Sequence, residues 1–189
     1  MSENQMKKIR APFDEATARS LRAGDRVLIS GTILAARDAA HKRLVETLDK
    51  GEPLPVDLKG AVVYYVGPSP AKPGEVIGAA GPTTSGRMDA YTPRLHALGV
   101  RASVGKGKRS EAVKAALREH GGVYFGAVGG AGAVLSQCIT GAEVIAFDDL
   151  GTEAIRKLTV KDFPVVVIND AHGGEAYAKP DLEAVGLEK

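Results

Sequence analysis

Nine consecutive residues, 81–89, set three hydroxyls and one guanidinium in a stretch where neither a strand nor a helix pattern continues: Gly-Pro-Thr-Thr-Ser-Gly-Arg-Met-Asp. The proline fixes its own backbone and favours an extended residue before it, and Gly86 permits a turn that other residues resist. Arg87 supplies a planar fork that suits a carboxylate or a phosphate. The pattern predicts an anion-binding loop, with a capped turn that opens a helix near Met88 as the structural alternative.

Further cations and hydroxyls also lie just beyond predicted strands. The candidate anion ligands are Arg37, Thr83, Thr84, Arg87, Lys106 and Arg109. If those strands are neighbours in one sheet, the loops that follow them meet in a cleft. Such a cleft would select a small molecule with two carboxylates, each held by a bidentate or charge-assisted contact. A solvated face is the alternative for Lys108 and Arg109, because charged residues often lead into a helix.

Other motifs in the chain do not support a nucleotide or zinc site. The basic loop 105–110 has its upstream glycine one place away from the P-loop position and lacks the required Ser or Thr. The glycine-rich residues 126–132 lack dinucleotide spacing and a following acidic partner, which favours a close packing turn. The four histidines lack the spacing of a zinc site, and His96 and His120 are interpreted as surface or capping residues.

Composition limits the class of protein. The 189 residues are 44% apolar and 25% charged, which predicts one globular domain over 1–189 with a loosely ordered tail after Tyr177. A net charge of +2 with 5% aromatic residues is too mild to indicate a nucleic-acid partner. The chain has no apolar run of about 18 residues and no apolar signal core at its start, so we expect a cytoplasmic protein without a membrane partner.

The chain has one cysteine, Cys138, which excludes a disulfide within the chain and any metal site built only from its own thiolates. A single cysteine also fits a reducing compartment. Its apolar neighbours favour the interpretation of Cys138 as a small buried residue.

Hydrophobic periodicity predicts alternating strands and helices. The predicted strands are 26–30, 61–66, 76–80, 100–104, 123–125, 143–147, 158–163 at an edge, and 164–168. The predicted helices are 35–48, 89–98, 111–120 and the start of one at 133–137, with short helices or turns at 14–22 and 150–155. This order predicts a mixed α/β fold with functional loops at the strand ends.

Four motifs in this order carry a family resemblance: GTILAARDAAH at 31–41, GPTTSGRMD at 81–89, GKGKRS at 105–110 and GGVYFG at 121–126. Together they resemble the β subunit, or C-terminal domain, of class I iron–sulfur fumarate hydratases and the related L-tartrate dehydratases, over about residues 10–177. The resemblance implies a swivelling β/β/α domain with a mixed sheet, in an α2β2-type assembly. It also implies a separate α subunit that carries three cysteines and a [4Fe-4S] cluster, so this chain would itself bind neither cofactor nor metal.

Carried over position by position, the resemblance assigns Arg37, Arg87 and Lys106 as ligands of the substrate carboxylates. It assigns Thr83 as the catalytic base. Thr84 is assigned as a substrate-binding residue, and the alternative is that Thr84 shares the role of the base. The implied reaction is the reversible hydration of fumarate to (S)-malate, a step of the tricarboxylic acid cycle. Because a hydroxyl is a weak base unless ionised, Arg87 and Lys106 are expected to lower the pKa of Thr83.

The choice of substrate depends on a few residues within the motifs. Residues 85–86 and 108–110 resemble the fumarase version, which favours fumarate over L-tartrate or mesaconate. A non-catalytic dicarboxylate-binding domain is the alternative from another functional class. Asp38 and His41 are expected either to organise Arg37 through hydrogen bonds or simply to be polar residues of the first helical turn.

Overall fold

The structure is a computed structural model that describes residues 6–127 and 132–177. Its strands are β1 Lys7–Ala11, β2 Arg26–Ala35, β3 Val62–Tyr64, β4 Ala102–Gly105, β5 Val123–Ala127, β6 Ile139–Ala146 and β7 Ile155–Asn169. Its helices are α1 Glu15–Ser20, α2 Asp38–Asp49, α3 Thr92–Ala97, α4 Glu111–His120 and α5 Gly132–Gln137, with 3-10 turns at Ser85–Met88 and Asp148–Glu153. The predicted tail after Tyr177 and most of the glycine-rich loop 126–132 lie outside the described residues.

All seven strands form one mixed sheet. Strands β1 to β5 pair in parallel in chain order, and β7 runs antiparallel to β2, β5 and β6. Because β7 pairs with both β5 and β2, the sheet closes into a five-stranded barrel of β2, β3, β4, β5 and β7, flanked by β1 and β6. The α/β class with a mixed sheet is confirmed, and β2, β3 and β4 end at the same edge because they are parallel.

Strand β7 corrects one of the predictions. The predicted edge strand 158–163 and buried strand 164–168 are a single strand of 15 residues that pairs with three others. Asp162 has a positive φ of 49°, and the pairing with β2 shifts between Ile29 and Gly31, which marks a β-bulge. The bulge interrupts the alternation of side chains, so the sequence pattern looked like two strands.

Two other predicted boundaries are wrong. Strand β2 continues through Gly31 to Ala35. Gly31 does not end the strand; it is a glycine because a Cβ at this position would collide with the backbone of Ala11 in the neighbouring strand β1. The predicted strand 76–80 is a loop, and its buried residues Ile77 and Ala80 pack against the barrel core. An apolar run alone does not distinguish a strand from such a covering loop.

Alternation along β3 divides the core into two main parts. Val62 and Tyr64 belong to the cluster inside the barrel, whereas Val63 and the next residue but one, Tyr65, belong to a cluster beneath α2 and α3. The barrel cluster also contains Ile29, Ile33, Val104, Phe125, Leu158 and Phe163. Each such side chain contributes about 1.5–3 kcal/mol on burial, so the barrel is a rigid base for the loops at its edge.

Helix α4 is the segment that the sequence predicted best. Ser110 accepts a hydrogen bond from the Val113 amide at its start, and Gly121 ends it in the left-handed conformation. Among the described residues, no helix is long and apolar enough to cross a membrane. The cytoplasmic location stays a prediction.

Two histidines are fully buried, which corrects the interpretation of His96 as a surface residue. His96 packs against Gly122, and neither of its ring nitrogens has a hydrogen-bond partner among the described residues. The Nδ1–H of His41 donates to the Arg37 carbonyl oxygen at 2.9 Å, because a carbonyl oxygen can only accept. Burial, together with a smaller effect of the nearby Arg109 charge, lowers the pKa of His41 to about 4 and that of His96 to about 3.

We expect the free energy of unfolding to fall as the pH is lowered from about 6.5 toward 4, because the unfolded chain protonates these histidines and the folded chain does not. At pH 5 unfolding should take up about two protons, a slope of about 2.7 kcal/mol per pH unit. Urea denaturation between pH 5 and 6 measures this slope. His172→Gln, at an exposed histidine, should leave it unchanged, and uptake well below one proton would contradict the assignment.

Candidate active site

The parallel strand ends bring the predicted ligands to one edge of the barrel. Arg37 follows β2 as the residue that precedes α2, and Lys106 follows β4 directly. The Thr83 amide donates to the carbonyl oxygen of Tyr65, just after β3, at 2.7 Å. Thr84 and Lys106 then form a parallel β-bridge. The anion-binding loop 81–89 is therefore fixed to the ends of β3 and β4 by its own backbone.

The two arginines are held by carboxylates from different parts of the chain. Arg37 donates from Nε to Glu153 Oε1 at 3.1 Å, and its guanidinium lies against Gly67, where a Cβ would come within 2.8 Å of Cζ. Arg87 Nη2 lies 2.9 Å from Asp38 Oδ2, an ion pair without the alignment of a hydrogen bond. Thus the start of α2 contacts the anion-binding loop through charge.

The outcome for Asp38 and His41 is mixed. His41 does organise the Arg37 segment, through the backbone carbonyl rather than the side chain. Asp38 pairs with Arg87 instead of Arg37. Both residues act beyond their place in the first helical turn.

Several polar groups at this edge remain available to a ligand. Within residues 6–127 and 132–177, Lys106 Nζ and the Thr83 and Thr84 hydroxyls make no hydrogen bond, and Lys106 and Thr84 are exposed. The Arg87 side chain is 55% exposed and that of Arg37 28%. Three cations and two hydroxyls at one open edge can bind the carboxylates of a small dianion by charge-assisted hydrogen bonds.

Arg109 is not part of this cleft. Its guanidinium is completely buried and lies over the rings of Tyr65 and Tyr124, 5.3 and 4.8 Å from their centroids. It donates to Asp89 Oδ1 at 2.7 Å and to one hydroxyl each from β4 and α3. Both sequence interpretations of Arg109, as a substrate cation and as a solvated helix-leading charge, are therefore wrong.

The Arg109–Asp89 pair connects the two loops of the site. Asp89 ends the anion-binding loop, and its second carboxylate oxygen accepts from the Ser110 amide at 2.7 Å. Arg109 and Ser110 belong to the basic loop that carries Lys106. Because the pair is buried and hydrogen-bonded on every side, it fixes the spacing between Lys106 and the loop that carries Arg87.

A second buried contact fixes the same two loops. Ser85 is completely buried, and its hydroxyl lies 2.9 Å from that of Tyr124, which donates to the Gly107 carbonyl at 2.8 Å. A Cβ on Gly105 would collide with the Ser85 hydroxyl and come within 3.0 Å of the Tyr65 ring. The hydroxyl of Ser85 is therefore structural, and only two of the three hydroxyls of the loop are available for binding.

Several of these partners could not be predicted from the sequence. Glu153 is 116 residues from Arg37, and Tyr65 and Tyr124 look like ordinary residues of buried strands. The Asp38–Arg87 contact also joins distant segments. None of them belongs to a sequence motif that would single it out as a partner in these contacts.

The described residues contain no group of three or more His, Cys, Asp or Glu side chains that could hold a metal ion. Cys138 packs partly buried against the barrel core, and burial raises the pKa of its thiol, in agreement with a small apolar role.

The site is open on the side away from the barrel. A surface cavity of about 740 Å³ lies beside β1 and α1, and none of the five predicted ligands lines it. A binding site for a small molecule usually encloses most of the ligand. An exposed row of cations and hydroxyls therefore fits a site that needs a second surface to close it.

Comparison with known proteins gives the family. A model described as Fumarase C-terminus matches residues 2–180, so the chain belongs to this family. It is 41% identical over 158 residues to fumarate hydratase 2 of Leishmania major, covering 82% of this chain and 28% of that protein. It is 42% identical over 159 residues to the aerobic class I fumarate hydratase of Escherichia coli, covering 83% and 29%.

A third relative has a different length. The putative L(+)-tartrate dehydratase subunit beta of Methanocaldococcus jannaschii is 36% identical over 165 residues, covering 84% of this chain and 85% of that subunit. The chain thus spans less than a third of the two fumarate hydratases but most of the tartrate dehydratase subunit. The family resemblance predicted from the four motifs is confirmed.

We expect Arg109→Met to lower the free energy of unfolding by about 3–5 kcal/mol, because it leaves the Asp89 carboxylate without its buried partner. Arg94→Met is the matched control: its ion pair with Asp49 is exposed and should cost less than about 1 kcal/mol. Urea denaturation of both variants at pH 7.5 compares them. Equal, small losses would mean that Arg109 does not hold the loops together.

We expect Gly105→Ala to lower the free energy of unfolding by about 1–3 kcal/mol, because the added methyl group must displace Ser85 or the Tyr65 ring. Gly86→Ala tests the specificity of this effect, since its Cβ would meet only the Lys108 carbonyl oxygen at 3.9 Å. Thermal and urea denaturation measure both. Indistinguishable losses would contradict the role of Gly105.

Proposed function

We propose that this chain is the β subunit of a two-subunit hydro-lyase that interconverts fumarate and (S)-malate and is active only with its α subunit. One observation carries the proposal: Arg37, Arg87 and Lys106 lie at a single strand-end edge together with the free hydroxyls of Thr83 and Thr84. Membership in the Fumarase C-terminus family and 41–42% identity to two fumarate hydratases support it.

The roles follow from the chemistry of the reaction. Removing the proton beside a carboxylate transfers negative charge to the carboxylate oxygens, and fixed cations stabilise that charge in the transition state. Arg37, Arg87 and Lys106 take this part. Thr83 transfers the proton; it is partly buried, and its amide is fixed to the end of β3. The Thr84 side chain is more exposed and binds the substrate.

The cluster is assigned to the partner. A [4Fe-4S] cluster held by the α subunit would supply a Lewis acid for the substrate hydroxyl. The two subunits would form an α2β2-type assembly, and the reaction would be a step of the tricarboxylic acid cycle. The relative from Methanocaldococcus jannaschii is named as a subunit beta and is matched over most of its length, which supports a separate chain of this kind. The open face of the site supports closure by another surface.

The structure weakens the support that the sequence motifs gave for fumarate as the substrate. Ser85 and Arg109, two residues that favoured fumarate, are buried and do not face the open edge. The preference for fumarate therefore relies on the higher identity to fumarate hydratases than to the tartrate dehydratase subunit. L-Tartrate and mesaconate are the alternative substrates, and a non-catalytic dicarboxylate-binding domain is the alternative function.

The test is anaerobic co-expression of this chain with a cysteine-bearing α subunit of the same family, followed by assays with fumarate, mesaconate and L-tartrate. We expect fumarate to be the best substrate. Alanine at Arg37, Arg87 or Lys106 should lower kcat/KM about 100-fold or more, and Thr83→Ala should lower kcat by about 10²–10⁴.

Arg94→Ala, at an exposed ion pair outside the site, is the control and should keep full activity. A complex that turns over none of the three diacids, or that tolerates all four substitutions, would refute the proposal. If Thr84→Ala loses kcat while Thr83→Ala keeps full activity, the role of the catalytic base belongs to Thr84.

A further inference from the structure

The guanidinium of Arg37 is held on one face and one edge. Gly67 covers its face: a Cβ at this position would lie 2.8 Å from Cζ, 2.8 Å from Nε and 3.1 Å from Nη1. Glu153 occupies its Nε edge at 3.1 Å. Within the described residues Nη1 and Nη2 make no hydrogen bond, so the end of the guanidinium is the edge left for a carboxylate.

Glu153 is itself fixed. Its Oε1 also accepts from the Ala39 amide at 3.4 Å, in the first turn of the 12-residue helix α2, where the helix dipole favours a negative charge. Its side chain is only 26% exposed. The carboxylate therefore joins Arg37 and the start of the helix at one oxygen.

The loop that carries Glu153 is tied down at two further points. Arg43 of α2 donates to the Asp149 carboxylate from both terminal nitrogens, Nη1 and Nη2, at 2.6 and 2.8 Å. Arg156 of β7 donates to the carbonyl oxygens of Gly151 and Thr152 at 2.9 and 3.1 Å. The Asp148–Glu153 turn is thus an anchored strap across the start of α2, and it brings Glu153 to a fixed place.

We propose that Glu153 is a positioning residue that sets the specificity of the site: it occupies the Nε edge of Arg37, so a substrate carboxylate must bind end-on to Nη1 and Nη2. An arginine offers two edges for bidentate binding, and a free guanidinium can use either. Restricting Arg37 to one edge fixes the distance between the two carboxylate subsites. The inference rests on the proposed function and deepens it, because it states how the length of the diacid is selected.

The first test measures the contact itself in the 189-residue chain labelled with ¹⁵N. The Arg37 Nε–H signal, assigned by its loss in Arg37→Lys, should exchange slowly in the wild type. Glu153→Ala should abolish that protection, Glu153→Gln should retain part of it because the amide oxygen still accepts, and Asp149→Asn, which keeps Glu153, should reduce it much less than Glu153→Ala does. Protection that is absent in the wild type or unaffected in Glu153→Ala would overturn the proposal.

The second test measures its consequence in the complex with the α subunit. Glu153→Ala should raise KM for fumarate about tenfold with a smaller change in kcat, which is the pattern of lost ground-state binding. It should also reduce discrimination between fumarate and the longer trans-diacid glutaconate, tested as a competitive inhibitor. Glu153→Gln should recover most of the wild-type KM.

Asp149→Asn is the matched control, because it loosens the same strap without touching Arg37. If Glu153→Ala and Asp149→Asn change KM and discrimination equally, Glu153 only tethers the loop and the proposal fails. If the wild-type complex turns over no diacid, the proposed function fails, and the Nε–H protection alone decides whether Glu153 positions Arg37.

Discussion

The buried ion pair between Arg109 and Asp89 is the interaction on which the geometry of the site depends. A guanidinium without solvent exposure needs hydrogen-bond acceptors and packed faces, and here four oxygen atoms accept from it and two tyrosine rings lie against it. Because Asp89 ends one loop and Arg109 belongs to the next, the same pair fixes the distance between the cations that these loops carry. Ser85 and Gly105 maintain that spacing by direct contact.

Charge balance describes the rest of the site. The cations Arg37, Arg87 and Lys106 are accompanied by the carboxylates Glu153 and Asp38, so the five groups together carry a net charge of +1 rather than +3. The ion pairs hold the side chains of Arg37 and Arg87 in place without a ligand. Lys106, which has no such pair within the described residues, supplies the excess charge. A dianion bound here meets groups that are already oriented, which reduces the entropy lost on binding.

Much of this could be predicted from sequence where the signal is local. Helix α4 was predicted with its correct ends because Ser110 and the glycine pair after His120 cap it within the helix itself. The predictions failed where the outcome depends on distant residues. The bulge in β7 made one strand look like two, and an apolar loop at 76–80 looked like a strand although it has no pairing partner. The burial of Arg109 and His96 depends on neighbours that are far away in the chain.

The sequence by itself determined the mixed α/β class, the family and the five candidate ligands, because motif spacing and periodicity are properties of neighbouring residues. Only the tertiary structure decided which polar residues serve the site and which serve the fold. Arg87 and Arg109 have the same functional group and both lie in glycine-containing loops, yet one is open to solvent and the other is enclosed between Tyr65 and Tyr124. The parallel pairing of β3, β4 and β5 determines that difference, because it brings Tyr65, just after β3, and Tyr124 of β5 together around Arg109.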